Sequence, residues 1–126
     1  MSFQIRGIGE KKFLQNEEVA NVTKKSAAYI KWEKEFDGKT KVDLARKKLT
    51  DEDALAIGEL LKTNKTLTKL WLNDNNITDV QSIGEGLKAN KTLKDLYLWD
   101  NKITDVQSII KGLQTNKTLK ALYLRG

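Results

Sequence analysis

The chain has no cysteine, no histidine and no proline. Without cysteine there is no disulfide framework, no thiolate nucleophile and no cysteine zinc site. Without histidine the commonest general base and transition-metal ligand is absent. No segment approaches the roughly 20 consecutive apolar residues that a membrane-spanning helix needs, and the opening MSFQIRGIGEKK has no apolar run of signal-peptide length. These absences lead to the expectation of a cytoplasmic protein with no catalytic residues, no metal site, no cofactor and no membrane partner.

What is present is polar and highly charged. Apolar residues make up 39% of the 126 and charged residues 32%, with a formal net charge of +6. A chain of this length makes one domain and buries roughly two-thirds of its unfolded surface. Its apolar share is low for a compact globule and too high for disorder, which suits a thin, elongated protein. The basic excess is spread along the sequence: 8 basic and 6 acidic residues in 1–40, then 15 and 11 in 41–126. Such a spread favours solubility and gives little sign of a nucleic-acid site.

The strongest signal is an internal repeat. LTKLWLNDNNITDVQSIGEGLKANKT (67–92) lies over LKDLYLWDNKITDVQSIIKGLQTNKT (93–118) with 17 of 26 positions identical. LKALYLRG (119–126) begins the unit again. KVDLARKKLTDEDALAIGELLKTNKT (41–66) is a looser copy, with two extra residues in its helical half. A period of this length marks a stack of supersecondary units.

Within one unit the spacing changes character. Leu70, Trp71 and Leu72 alternate in, out, in, as in a short strand. Asn75 follows at the bend, where a side-chain amide can pair the backbone groups that the bend leaves open, and those of the neighbouring unit. Ile77 returns to the core. Thr78 and Asp79 offer an N-cap, and Val80, Ile83 and Leu87 make one face of a helix. Asn90, at the helix end, suits a left-handed C-terminal position. Strands joined through helices run parallel. The expected strands lie near 42–44, 70–72, 96–98 and 122–124, and the helices near 51–63, 79–89 and 105–115. Leu70, Leu72, Ile77, Ile83 and Leu87 are expected in the core, as are Leu96, Leu98, Ile103, Ile109 and Leu113.

The pattern LxxLxLxxNxI followed by a helix resembles the leucine-rich repeat over about 41–126. Units of 26 to 28 residues with a full helix are similar to the ribonuclease-inhibitor-like subclass, and NKTLTKLWLNDNNIT especially resembles the repeats of nucleotide-binding innate-immune receptors. The resemblance implies an α/β solenoid, a fragment of a right-handed α/β horseshoe, of about three and a half units. It implies a non-enzymatic protein-interaction module whose strands line the concave face. One departure is visible: Lys47 stands where later units have Asn75 and Asn101, so the first unit is expected to lack that rung and to be looser.

Residues 1–40 lie outside the repeat. NEEVANVTKKSAAYIKWEKEFDG reads as a helix over 16–37, capped by Asn16, with Val19, Val22, Ser26, Ala27 and Ile30 on one face, extended by Tyr29, Trp32 and Phe36. Gly38 can end it. This helix is expected to cover the N-terminal end of the core, with Ile30 and Trp32 packed on the first unit and Val42, Leu44 and Leu55 beneath it.

Candidate functional residues follow from the repeat register. Outward columns across the strands are Lys41, Lys69, Asp95 and Ala121; Asp43, Trp71, Tyr97 and Tyr123; and Ala45, Asn73, Trp99 and Arg125. The expected protein-binding face is therefore Lys69, Trp71, Asp95, Tyr97, Trp99, Tyr123 and Arg125, because aromatic residues and arginine dominate binding hot spots. The rival reading is that cross-strand aromatic neighbours only stabilise the sheet. Leu119, Leu122 and Leu124 begin a unit that stops at Gly126, so self-association into a dimer through that end is expected. The near-identical units and the missing Pro, Cys and His also suit a designed or duplicated structural unit with no outside partner.

Overall fold

The computed structural model describes residues 25–125. Helix α1 (Ala27–Phe36) is followed by three strand–helix steps and a last strand: β1 (Lys41–Asp43), α2 (Asp51–Thr63), β2 (Lys69–Trp71), α3 (Gln81–Ala89), β3 (Asp95–Tyr97), α4 (Gln107–Thr115) and β4 (Ala121–Tyr123). The strands form one parallel sheet in the order β1-β2-β3-β4. Each strand begins and ends one residue earlier than the leucine spacing suggests. The register nevertheless matches, with Val42, Leu70, Leu96 and Leu122 side by side.

The core lies between this sheet and α2–α4. Leu70, Leu72, Ile77, Ile83, Leu87, Leu96, Leu98 and Ile109 are fully enclosed. Ile103 and Leu113 are only partly buried. They belong to the last unit, where no described element covers the outer side.

Helix α1 departs from expectation in several ways. The proposed cap Asn16 and residues Val19 and Val22 lie outside the described residues. Ser26 occupies the N-cap instead, its Oγ accepting from the Tyr29 backbone N–H at 3.0 Å. The buried face is Trp32 and Phe36, while Ile30 is 46% exposed. Ile30 therefore does not pack on the first unit; a face running through 32 and 36 leaves position 30 on the far side. Trp32 does reach the repeat, donating its indole N–H to Asp53 Oδ1 at 2.8 Å. Gly38 follows the helix at φ +71°, the left-handed conformation that glycine accepts without strain. Leu55, expected in the core, is 57% exposed on α2.

The helix starts are also built differently. α3 and α4 begin at Gln81 and Gln107, with Val80 and Val106 at the N-cap rather than Thr78 and Asp79. Asp79 and Asp105 still serve, accepting from the Gln81 and Gln107 backbone N–H groups at 2.9 Å. At α2, Asp53 accepts from the Thr50 backbone N–H and hydroxyl. Asp51 reaches into the next unit, where it accepts from the backbone N–H groups of Thr78 and Asp79 and from the Thr78 hydroxyl. The Thr78 hydroxyl, more than the two N–H groups, holds the Asp51 carboxyl below its ordinary range. A depressed carboxyl stabilises the fold at neutral pH, and that contribution disappears as the pH falls through the lowered value.

Two asparagine ladders join the units. In the first, Asn75 Oδ1 accepts from Lys47 N (3.0 Å) and Leu49 N (2.9 Å), and its Nδ2 donates to the carbonyls of Leu44, Leu72 and Asn73. Asn101 Oδ1 accepts from Ile77 N, and its Nδ2 donates to Leu72 O and Leu98 O. Asn75 is buried, but Asn101 is only partly so, for the same reason as Ile103. Lys47 contributes a backbone N–H and no amide, so the first unit lacks its rung. Arg46, Asp74 and Asp100 all take positive φ just before the ladder position, and Lys48 does so in the first unit alone.

The second ladder runs at the helix ends. Asn90 is not left-handed: its φ of −75° and ψ of 138° are extended. Its side chain does the work of closing the turn. Oδ1 accepts from Thr92 N and Leu93 N, and Nδ2 donates back to Leu61 O and Asn64 O. Asn116 repeats this on Leu87 O and Asn90 O.

Candidate functional site

The outward side of a parallel strand alternates with the core side, so residues two apart share a face. In the sheet, Asp43, Trp71, Tyr97 and Tyr123 stand in register, as do Lys41, Lys69, Asp95 and Ala121. Because the strands are parallel and in register, like residues stack. Trp71 and Tyr97 lie 5.1 Å apart with planes 4° from parallel, and Tyr97 and Tyr123 lie 4.6 Å apart at 5°. Trp99 stands edge-on to both tyrosines, at 5.5 Å and 6.2 Å. The four rings make one continuous surface over β2–β4. Tyr123 is 45% exposed and the other three are half-buried.

Charges border the rings in matched pairs. Lys69 Nζ lies 3.7 Å from Asp95 Oδ2, and Arg46 lies 3.4 Å from Asp74. Exposed pairs of this kind contribute little to stability, about 0–1 kcal/mol. Arg125, two residues beyond the end of β4, is exposed. The structure thus brings Lys69, Trp71, Asp95, Tyr97, Trp99 and Tyr123 together on one face. Asn73 does not belong to that surface. It is 3% exposed, donates from Nδ2 to Asp74, and leaves Oδ1 buried without a partner.

Residues 65–111 match the family model for leucine rich repeats, in two copies. That stretch is a pair of leucine-rich repeats. It holds β2, α3, β3 and most of the aromatic face, and it supports a leucine-rich repeat protein whose helices alternate with parallel strands in a single sheet. Leucine-rich repeats commonly mediate protein–protein interaction. A search of curated proteins finds no match to the chain.

Among the described residues, no three Asp, Glu, His or Cys side chains converge to hold a metal ion, and no helix is long and apolar enough to cross a membrane. Shallow grooves of about 570 Å³ and 470 Å³ run between neighbouring helices, the smaller lined by Leu55 and several acids. Neither groove joins the aromatic surface.

The sequence reading missed Asn90 and Asn116 as ladder residues, although their 26-residue spacing was the available signal. It also missed the helix glycines. A Cβ on Gly58 or Gly84 would fall 2.3–2.4 Å from backbone atoms of Ser82 or Ser108 in the next helix. The close stacking of α2, α3 and α4 depends on those absent side chains.

Proposed function

We propose that this chain is a non-enzymatic protein-binding module of the ribonuclease-inhibitor-like kind, acting in the cytoplasm. In this reading its units form a solenoid capped at the N-terminal end by α1, and the strands line a concave docking face. The observation that supports it is the unbroken cluster of Trp71, Tyr97, Tyr123 and Trp99 at the surface. Large rigid rings at a surface give contact area at low entropic cost. Lys69, Asp95 and Arg125 border the cluster and set orientation.

The rival account, in which the rings only stabilise the sheet, makes a different prediction. Stacked pairs contribute about 0.5–1.5 kcal/mol each beyond their burial, so stability alone falls when they are removed. We expect Trp71→Ala with Tyr97→Ala to abolish capture of a specific protein partner. Trp99→Ala, which removes only edge contacts, is expected to weaken capture without shifting the melting temperature by more than about 4 °C. Capture unchanged in both variants would reject the face as a binding site.

A second reading is favoured by the last unit. Leu119, Leu122 and Leu124 are partly buried, whereas Leu93, Leu96 and Leu98 one unit earlier are fully enclosed. We propose that this layer pairs with a second copy, with the two β4 strands antiparallel across a two-fold axis. Light scattering is expected to give twice 14.3 kDa at micromolar concentration, and Leu122→Lys to restore a monomer. A monomer for the unaltered chain would exclude this pairing and leave the aromatic face untouched.

A further inference from the structure

The +6 charge is spread evenly along the sequence, but the fold does not keep it spread. Lys39, Lys65, Lys91 and Lys117 stand 26 residues apart, each at the turn that leads into a strand. Successive turns are bonded directly to one another. Thr66 Oγ1 donates to Lys39 O, Asn90 Nδ2 to Asn64 O, and Asn116 Nδ2 to Asn90 O. The four lysines therefore form a row along one edge of the molecule. Lys94 and Lys120 widen it at the strand starts, where the Lys120 N–H donates to Lys94 O.

The turn chemistry does not require these lysines. The Asn and Thr of each NKT turn make its bonds: Asn64 Oδ1, for example, accepts from Thr66 N and Leu67 N. Lys65, Lys91 and Lys117 are exposed and make no ion pair among the described residues. Among the described residues, Glu35 and Asp37 stand near its α1 end, and Asp95, beside Lys94, is paired with Lys69. The opposite edge carries many acids, and the fold uses four of them. Asp51 binds Thr78 and Asp79, Asp74 binds Arg46, and Asp79 and Asp105 close the starts of α3 and α4.

We propose that the lysine edge is a docking site for an acidic, extended protein segment. Lysine rows attract polyanions in general, so three features select among them. Nucleic-acid sites add aromatic platforms and arginine forks; here the exposed rings and Arg125 belong to the strand face. A membrane-surface site adds apolar residues that enter the lipid; among the described residues the exposed large apolar side chains are Ile30, Leu55, Ile110 and Tyr123, none of them in these turns. A second copy would have to offer its acidic edge, where Asp51, Asp74, Asp79 and Asp105 are already engaged. The pitch also fits. Successive turns lie between the strand spacing of about 4.8 Å and the helix spacing of about 8–10 Å. Alternate residues of an extended chain are about 6–7 Å apart on one side, so every second Asp or Glu meets one lysine.

Fluorescence anisotropy with a labelled oligoglutamate peptide tests this. Saturable binding is expected at low ionic strength, weakening as salt rises. The triple variant Lys65→Glu, Lys91→Glu, Lys117→Glu is expected to lose about tenfold or more in affinity, with its melting curve unchanged. Should charge reversal unfold the chain, Lys91→Gln with Lys117→Gln gives the same readout more mildly. Trp71→Ala with Tyr97→Ala is expected to bind the peptide normally, which separates this edge from the aromatic face. Three results overturn the proposal: no saturable binding, equal binding by the triple variant, or tighter binding of oligothymidylate or phosphatidylserine vesicles than of the peptide.

Discussion

Asn75→Ala is expected to lower stability by about 3–5 kcal/mol. The figure follows from what the amide leaves behind. Lys47 N and Leu49 N lose their acceptor and Leu44 O loses a donor, all between two units where water has little access. Each stranded buried group costs about 1–3 kcal/mol. Leu72 O is spared, because Asn101 also donates to it. Asn101→Ala is expected to cost less, about 1–3 kcal/mol, because Asn101 is only partly buried and water can replace part of its bonding. Urea unfolding of both variants checks the order. A loss below about 0.5 kcal/mol for Asn75→Ala, the size of an ordinary surface change, would show that the ladder does not hold the units together.

The ladder also shows how far the sequence could be read. Asn75 and Asn101 were legible because they interrupt an apolar pattern at a bend, where backbone groups need partners. Asn90 has an equally plain local explanation, a left-handed helix end, and that explanation is wrong. Its amide reaches back 29 residues to Leu61 O, a contact that local spacing does not reveal. The aromatic face was legible because register follows directly from the repeat. Residues Trp71, Tyr97 and Tyr123 had to align once the strands were parallel, although ring geometry and partner were not thereby given. Ile30 was misplaced because a helix face was extended across residues that the structure does not describe. The lysine row was hidden for the opposite reason: charges counted along the chain are averaged over exactly the period that aligns them in space.

Gly84→Ala is expected to be the most damaging small substitution, at about 3 kcal/mol or more. Elsewhere in a helix interior the same change is favourable by about 1 kcal/mol, since alanine is the better helix former. Here the new methyl would meet Ser108 backbone atoms at 2.4 Å, and backbone cannot rotate away. The Gly84 carbonyl is already the surface against which Gly112 packs, at 2.4 Å from where a Gly112 Cβ would lie. The residue is therefore confined on the α4 side by two contacts at once. Relief requires α4 to move out, which strains the short strands and the Asn116 bonds that link the same units. Ile110 supplies the control. It stands 26 residues after Gly84 in α4 and is 45% exposed, with no described helix beyond it. Ile110→Gly should cost only the helix-propensity difference, below about 1 kcal/mol, and Ile110→Ala should be close to neutral. Calorimetric melting of Gly84→Ala beside Ile110→Ala decides the matter. Similar melting temperatures for the two would show that the helices are free to separate, and that glycine at 84 is not what sets their spacing.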